Sequence, residues 1–177
     1  MVCLVVNNTL YTANTGDSRA VYWKDRKAVR ASVDHKPDVP AEEVRTRKER
    51  EREKTKKINF SFLFLPKKRR IRTRGGFVTN GRVLGKLAVS RALGDLELQK
   101  CGVTPEPYVS AFDLTEPPEF MILACDGVWD VLSDEAACNV VASELERDLT
   151  AAALKLRDVA YLLGSEDNIS TILLKFK

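Results

Sequence analysis

Residues 119–130 read Glu-Phe-Met-Ile-Leu-Ala-Cys-Asp-Gly-Val-Trp-Asp. From Phe120 to Cys125 the run is apolar and does not alternate. This predicts a β-strand over Glu119–Cys125 covered on both faces, not one lying half in water. It stops at Asp126-Gly127, and a second carboxylate, Asp130, follows one helical turn later. A loop of similar character, Gly164-Ser165-Glu166-Asp167-Asn168, precedes Ile169–Phe176, which predicts a closing buried strand. If these two strands are antiparallel neighbours, the end of one meets the start of the other. Asp126 and Asp167 then converge at one rim of the sheet.

Outward from that pair, the chain divides into recognisable stretches. Val2–Val6, Thr9–Ala13, Ser18–Trp23 and Ala28–Val33 are short runs rich in β-branched and aromatic residues, separated by Asn7-Asn8, Asn14–Asp17 and Lys24-Asp25-Arg26, which predicts an antiparallel meander. Pro37 ends it. Asn80-Gly81 is a two-residue hairpin signal, and Tyr108–Leu114 is a further strand. Ser133 reads as the N-cap of a helix whose inner face is Val140, Val141 and Leu145. Thr150 reads as the cap of a second helix, with Leu154, Val159, Leu162 and Leu163 on its inner stripe and Gly164 at its stop. Sheet, insert, sheet, helix pair and strand in that order make an α+β layered fold.

Composition sets the class. A chain of 177 residues with 44% hydrophobic and 31% charged residues is long enough for one domain with a real core. It holds no apolar run long enough for a spanning helix, and no secretory leader is visible at Met1-Val2-Cys3. Cys3, Cys101, Cys125 and Cys138 are widely spaced, which argues against a zinc ribbon and against a disulfide scaffold and suits a reducing compartment.

The net charge of +4 conceals a split. Residues 45–74 hold 14 Lys and Arg against 3 Glu, leaving the remainder at −7. Within that block, Ala41–Lys57 is helix-forming but polar all round, Phe60–Leu65 is abruptly apolar, and Lys67-Lys68-Arg69-Arg70 is basic again. The pattern reads as an insertion at about 45–74 in a surface loop. The basic run is open to three readings: a nuclear-import or phosphate-binding patch, a partner-docking block, or a tolerated insertion.

Carboxylates brought together repel unless a proton or cation intervenes. Oxygen donors without His or Cys select hard cations, Mg²⁺ or Mn²⁺, over zinc. Spacing alone leaves Asp126, Asp167 and Asp130 as either metal ligands or ordinary loop-boundary residues. Asp17, in Asn14-Thr15-Gly16-Asp17-Ser18-Arg19, is either of the same kind or a plain turn residue paired with Arg19. Asp95 reads as a helix cap, His35 as a turn residue, and Cys125 as an inert small hydrophobe. No GxxxxGK[ST], GxGxxG or GxSxG occurs.

Taken together, Ala13–Val21, Asp34-His35-Lys36-Pro37, Gly75-Gly76-Phe77-Val78, Arg82-Val83-Leu84-Gly85, Leu87–Asp95, Leu123–Asp130 and Gly164–Ser170 stand in the order found in the type 2C metal-dependent serine/threonine protein phosphatases, and the chain resembles that family over nearly its whole length. The resemblance implies two antiparallel β-sheets packed as a sandwich flanked by helices. It implies two Mg²⁺ or Mn²⁺ ions per intact site, with Asp126 and Asp167 on a catalytic ion and Asp17 and Asp130 on a further, weaker one. The implied reaction is hydrolysis of phosphoserine or phosphothreonine in a phosphoprotein by a metal-activated water.

Two departures qualify it. The family's Asp-Gly-His-Gly segment, which bridges both ions, has no counterpart here, so residues 1–177 read as a single partial phosphatase domain with its N-terminal part missing. Impaired turnover is the resulting expectation, and the alternative is an inactive relative that binds phosphoproteins or a partner. The second departure is the basic insertion. The expected compartment is cytoplasmic or nuclear. No membrane or nucleic-acid partner is expected, and the full domain is expected to be a monomer.

Overall fold

The computed structural model describes residues 1–38 and 67–176; the expected polar helix over 41–57 and the apolar stretch 60–65 lie outside the described residues. In chain order these residues form β1 (Val2–Val6), β2 (Thr9–Asn14), β3 (Arg19–Lys24), β4 (Lys27–Arg30), α1 (Lys67–Thr73), β5 (Val78–Thr79), β6 (Arg82–Val83), α2 (Leu96–Gln99), β7 (Tyr108–Asp113), β8 (Phe120–Ala124), α3 (Asp126–Trp129), α4 (Asp134–Ala142), α5 (Leu149–Leu162) and β9 (Thr171–Lys175). They fall into two units, Met1–Asp34 with Pro107–Lys177, and His35–Glu106.

The first unit is the sandwich. One sheet runs β1-β2-β7 and the other β4-β3-β8-β9, antiparallel throughout. The turn between β3 and β4 closes tightly because Asp25 and Arg26 both take positive φ, 53° and 57°, the geometry whose twist matches flanking strands. β8 is central in its sheet. Phe120 and Ile122 face a cluster with Val21, Trp23 and the helical residues Val128, Val141 and Leu156, whereas Met121 faces Leu10, Ala20 and Ala31 against the other sheet. Both of its faces are thus covered, as its unalternating sequence requires. Phe120, Met121 and Ile122 are fully buried, each contributing about 1.5–3 kcal/mol of transfer free energy. Tyr22 meets Phe112 edge-on at 5.3 Å across the two sheets.

Helices α3, α4 and α5 cover the outer face of the β4-β3-β8-β9 sheet. Ser133 caps α4 by accepting from the Ala136 N–H at 3.2 Å, as expected. The cap of α5, however, is Asp148, whose carboxylate accepts from the N–H groups of Thr150 and Ala151, not Thr150. The inner stripe of α5 also differs from the expected one. Ala152, Leu156 and Ala160 are buried, while Leu154, Leu162 and Leu163 are exposed. Alanines at i and i+8, on either side of Leu156, let that face of the helix approach its neighbours closely, and that close approach outweighs the larger apolar area of the exposed leucines. β9 pairs only with β8 among the described strands, and Ile172 is 60% exposed, so this strand lies at a sheet edge and is not buried on both faces.

The second unit is built on Ile71, Val83 and Val103. Asn80 and Gly81 join β5 to β6 with φ of 48° and 70°, the hairpin expected from sequence. Asp95 precedes α2 in a left-handed conformation with no side-chain cap hydrogen bond; its backbone carbonyl accepts from Leu98 and Gln99 instead. His35 is buried, and its carbonyl accepts from both the N–H and the hydroxyl of Ser90. No described helix is long and apolar enough to cross a membrane.

Candidate functional site

Strand register assembles the candidate site. Ala124 is the residue at which three strands align: it pairs with Arg19 at the start of β3 and with Thr171 at the start of β9. Because both pairings are antiparallel, the chain entering β3, the chain leaving β8 and the chain entering β9 occupy the same end of one sheet. Asp17 lies two residues before Arg19, Asp126 two residues after Ala124, and Asp167 four residues before Thr171. Asp130 ends the single turn of α3 that Asp126 begins, its N–H donating to the Asp126 carbonyl at 2.8 Å.

The loops that carry Asp126 and Asp167 are fastened directly to one another. Cys125 N–H donates to the Ser170 carbonyl at 3.2 Å. The Cys125 thiol donates to the Asn168 carbonyl at 2.9 Å and accepts from the Ser170 N–H at 3.1 Å. Ser165 Oγ donates to the Gly127 carbonyl at 2.6 Å. A Cβ placed on Gly127 would lie 2.3 Å from the Asn168 carbonyl oxygen, so only glycine permits this approach. Cys125 is half-buried beyond the end of β8 and clamps two loop backbones; the expectation of an inert apolar filler is corrected.

A second set of contacts fixes the loop that carries Asp17. Asn14 Nδ2 donates to the carbonyls of Gly16, Ser18 and Val33 at 3.1, 2.9 and 3.0 Å. Arg19 does not pair with Asp17. Its guanidinium lies against Asp34 and Asp134, with Nε 3.1 Å from each Asp34 oxygen and Nη1 2.5 Å from Asp134. It also stacks over the Trp129 ring at 5.1 Å to the centroid. Arg30 completes the group at 2.6 Å from Asp134. Arg19 is thus tied to the start of α4 through Asp134 and to the end of α3 through Trp129. Burial pushes the Arg19 pKa down, but Asp34 and Asp134 outweigh it and the net shift is upward. Burial pushes the Asp134 carboxyl up, and the hydrogen bonds and charges of Arg30 and Arg19 outweigh it, so the net shift is downward. Arg19, Arg30, Trp129 and Asp134 line a cleft of about 620 Å³ that also touches Asp130 and Ser133.

Asp17 and Asp126 are half-buried; Asp130 and Asp167 are exposed. One oxygen of Asp167 accepts from the Asn168 N–H at 2.7 Å, a contact that steadies the loop without consuming the carboxylate's other lone pairs. The donor set is all oxygen and matches a hard divalent cation. Among the described residues no three Asp, Glu, His or Cys side chains gather closely enough to hold one. The backbone therefore brings the expected aspartates to one sheet end, and the side chains are not drawn into a shell. Asn14, Cys125 and Ser165 are the organising residues that sequence reasoning missed. Each acts through backbone groups, and only its place inside a family-like segment marked it.

The family model for protein phosphatase 2C matches residues 1–63 and 67–169. The chain is 39% identical over 176 residues to a probable protein phosphatase 2C 7 of Oryza sativa, covering 98% of this chain and 39% of that protein. It is 38% identical over 178 residues to human protein phosphatase 1B, covering 94% of this chain and 32% of that one. Among solved structures, a phosphatase from Toxoplasma gondii superimposes with a TM-score of 0.73 at 30% identity, covering 95% of this chain and 48% of that chain. This chain therefore spans well under two thirds of the length of these relatives.

Proposed function

The chain belongs to the protein phosphatase 2C family, and from that premise we propose that it forms part of a metal-dependent phosphatase acting on phosphoserine and phosphothreonine in proteins. Asp126 and Asp167 would hold a Mg²⁺ or Mn²⁺ ion, with Asp130 and Asp17 serving a second. Such ions lower the pKa of a bound water and neutralise charge on the phosphoryl oxygens. The protein's own part is placement. The Cys125 and Ser165 contacts keep the Asp126 and Asp167 loops together, the Asn14 fork shapes the Asp17 loop, and Arg19 joins that loop to the helices bearing Asp130 and Asp134.

The observation that carries this reading is the register at Ala124, which sets Asp17, Asp126 and Asp167 at one end of one sheet. Residues 1–177 would then be a portion of one phosphatase domain, in which the end of the basic stretch 45–74 is the packed helix α1. Calorimetric titration with Mn²⁺ tests it, alongside hydrolysis of a phosphothreonine peptide. Binding that Asp126→Ala and Asp167→Ala each abolish supports the reading; binding indifferent to both substitutions rejects it.

A second reading is favoured by one observation, the lack of a three-ligand cluster among the described residues. The chain would then be an inactive relative that binds phosphoproteins or a partner. Mn²⁺-dependent turnover that Asp126→Ala removes would dismiss this alternative.

A further inference from the structure

Helix α1, Lys67-Lys68-Arg69-Arg70-Ile71-Arg72-Thr73, carries five cations and no acid. Its rotation is fixed by what lies beneath it. Ile71 is fully buried with Val83 and Val103. Arg70 Nε donates to the Gly102 carbonyl at 2.9 Å and Nη2 to the Ser90 carbonyl at 2.5 Å. A Cβ on Gly102 would come within 2.7 Å of Ile71 Cα, and one on Gly76 within 2.9 Å of its Cγ2, so the helix is seated against bare backbone and cannot roll. Lys68, Arg69 and Arg72 consequently face solvent, with Arg74 exposed just beyond.

Among the described residues, that face is short of acid. Lys68 pairs with Asp38 at 3.1 Å, both half-exposed; among the described residues Arg69, Arg72 and Arg74 have no ion-pair partner. Cations in the first turn oppose the helix dipole, and Lys68 with Arg72 is a like-charged i, i+4 pair, so the arrangement costs the helix stability. Beneath it, burial and then the charges of Arg91 and Arg74 bring the Arg70 pKa down to about 10. The buried Arg91 has an Nε without a hydrogen-bond partner. The unit His35–Glu106 holds 19 Lys and Arg against 9 Asp and Glu, while the rest of the chain holds 10 against 16. Positive charge is thus concentrated on one unit beyond what its own acids balance.

We infer that the outward face of α1 is a docking surface for an acidic polypeptide segment. A seven-residue helix is roughly 10 Å long, which matches about three residues of extended chain. A nucleic-acid strand asks for a longer track with aromatic platforms, and Phe77 is the lone exposed aromatic among this unit's described residues. An anionic membrane asks for an apolar face beside the basic one, which α1 lacks. The inference goes beyond the phosphatase reading and does not depend on it.

The test uses the whole chain without metal, and a fluorescein-labelled Glu-rich peptide bearing no phosphate, followed by anisotropy. The expected result is saturable binding that weakens about tenfold as salt rises from about 50 to 200 mM. The triple substitution Lys68→Gln, Arg69→Gln, Arg72→Gln should weaken it about tenfold as well, with circular dichroism unchanged because all three side chains are exposed. Asp38→Asn, which releases Lys68, should tighten binding about twofold. Unaltered affinity in the triple variant overturns the proposal. So does equal binding of a Gln-rich peptide, or tighter binding of single-stranded DNA or phosphatidylserine vesicles at matched charge and salt. Because the probe cannot be hydrolysed, these outcomes are independent of whether the chain is a phosphatase.

Discussion

Ser165 Oγ donates to the Gly127 carbonyl at 2.6 Å, and this one hydrogen bond joins the loop before β9 to the helix after β8. Asp167 follows Ser165 by two residues and Asp126 precedes Gly127 by one, so whatever displaces this contact also displaces the two aspartates from one another.

Gly127→Ala is the sharpest probe of that arrangement. The added methyl would meet the Asn168 carbonyl at 2.3 Å, and a backbone atom cannot yield as a flexible side chain would. The expected cost is about 1–3 kcal/mol of stability, measured as a shift in urea midpoint. A larger fractional loss of Mn²⁺ affinity should accompany it, because Asn168 adjoins Asp167. Ser165→Ala leaves the Gly127 carbonyl without its partner and is expected to cost about 1 kcal/mol.

Arg19→Met separates structural support from ligation. Arg19 and Asp34 are both nearly buried, with side chains 10% and 8% exposed, so removing the cation takes from a buried carboxylate its nearest positive charge, Arg30 being the next at 4.0 Å. Breaking such a pair typically costs about 3–5 kcal/mol. Trp129 loses its guanidinium cover at the same time, so its fluorescence should change in the folded baseline as well as in the transition. A stability loss under 1 kcal/mol, well below that range, would mean that the network is not a structural keystone.

The thiols should react unequally. Cys138 is fully buried on α4, and burial, then Asp134 and Glu135, push its pKa up to about 12. The thiolate is the reactive species. Cys138 is therefore expected to resist iodoacetamide at neutral pH in the folded protein and to be labelled only after unfolding, as read by peptide mass spectrometry. Labelling of Cys138 at the rate of the half-buried Cys101 would contradict its placement.

Much of this architecture was legible because local chemistry and tertiary packing agree. The unalternating run ending at Cys125 announced a strand with two covered faces, and Asn80-Gly81 announced a turn that needs two positive φ values. The convergence of Asp126 and Asp167 followed from two strand ends and one assumption of antiparallel pairing, which the Ala124–Thr171 register meets. What stayed hidden was settled by partners distant in sequence. Arg19 sits two residues from Asp17 yet pairs with Asp34 and Asp134, because its side chain enters the face of the sheet that the helices cover. Leucine counting selected the wrong side of α5, because the buried stripe is Leu156 flanked by Ala152 and Ala160, and the two alanines that let it pack closely leave little signal in hydrophobicity. Asn14, Cys125 and Ser165 serve backbone carbonyls and amides, and a sequence does not show which backbone groups lie opposite them.

Acid should undo the Arg19–Asp134–Arg30 group before it undoes the apolar core. The Asp134 carboxyl lies below its ordinary value of 3.8, because Arg30 and Arg19 outweigh the opposing effect of burial. A folded-state pKa depressed in this way means that the folded protein binds fewer protons than the unfolded chain. The stabilisation is therefore complete above the unfolded value and is lost as pH falls through the lower, folded one. Urea midpoints should be level through the neutral range as far as this group is concerned and should decline once pH drops below about 4. Asp134→Asn removes the titrating carboxyl. It should lower stability at neutral pH and flatten the decline below pH 4, so that the two proteins' midpoints approach each other in acid. Midpoints that stay parallel at every pH would show that Asp134 gains nothing from its arginines.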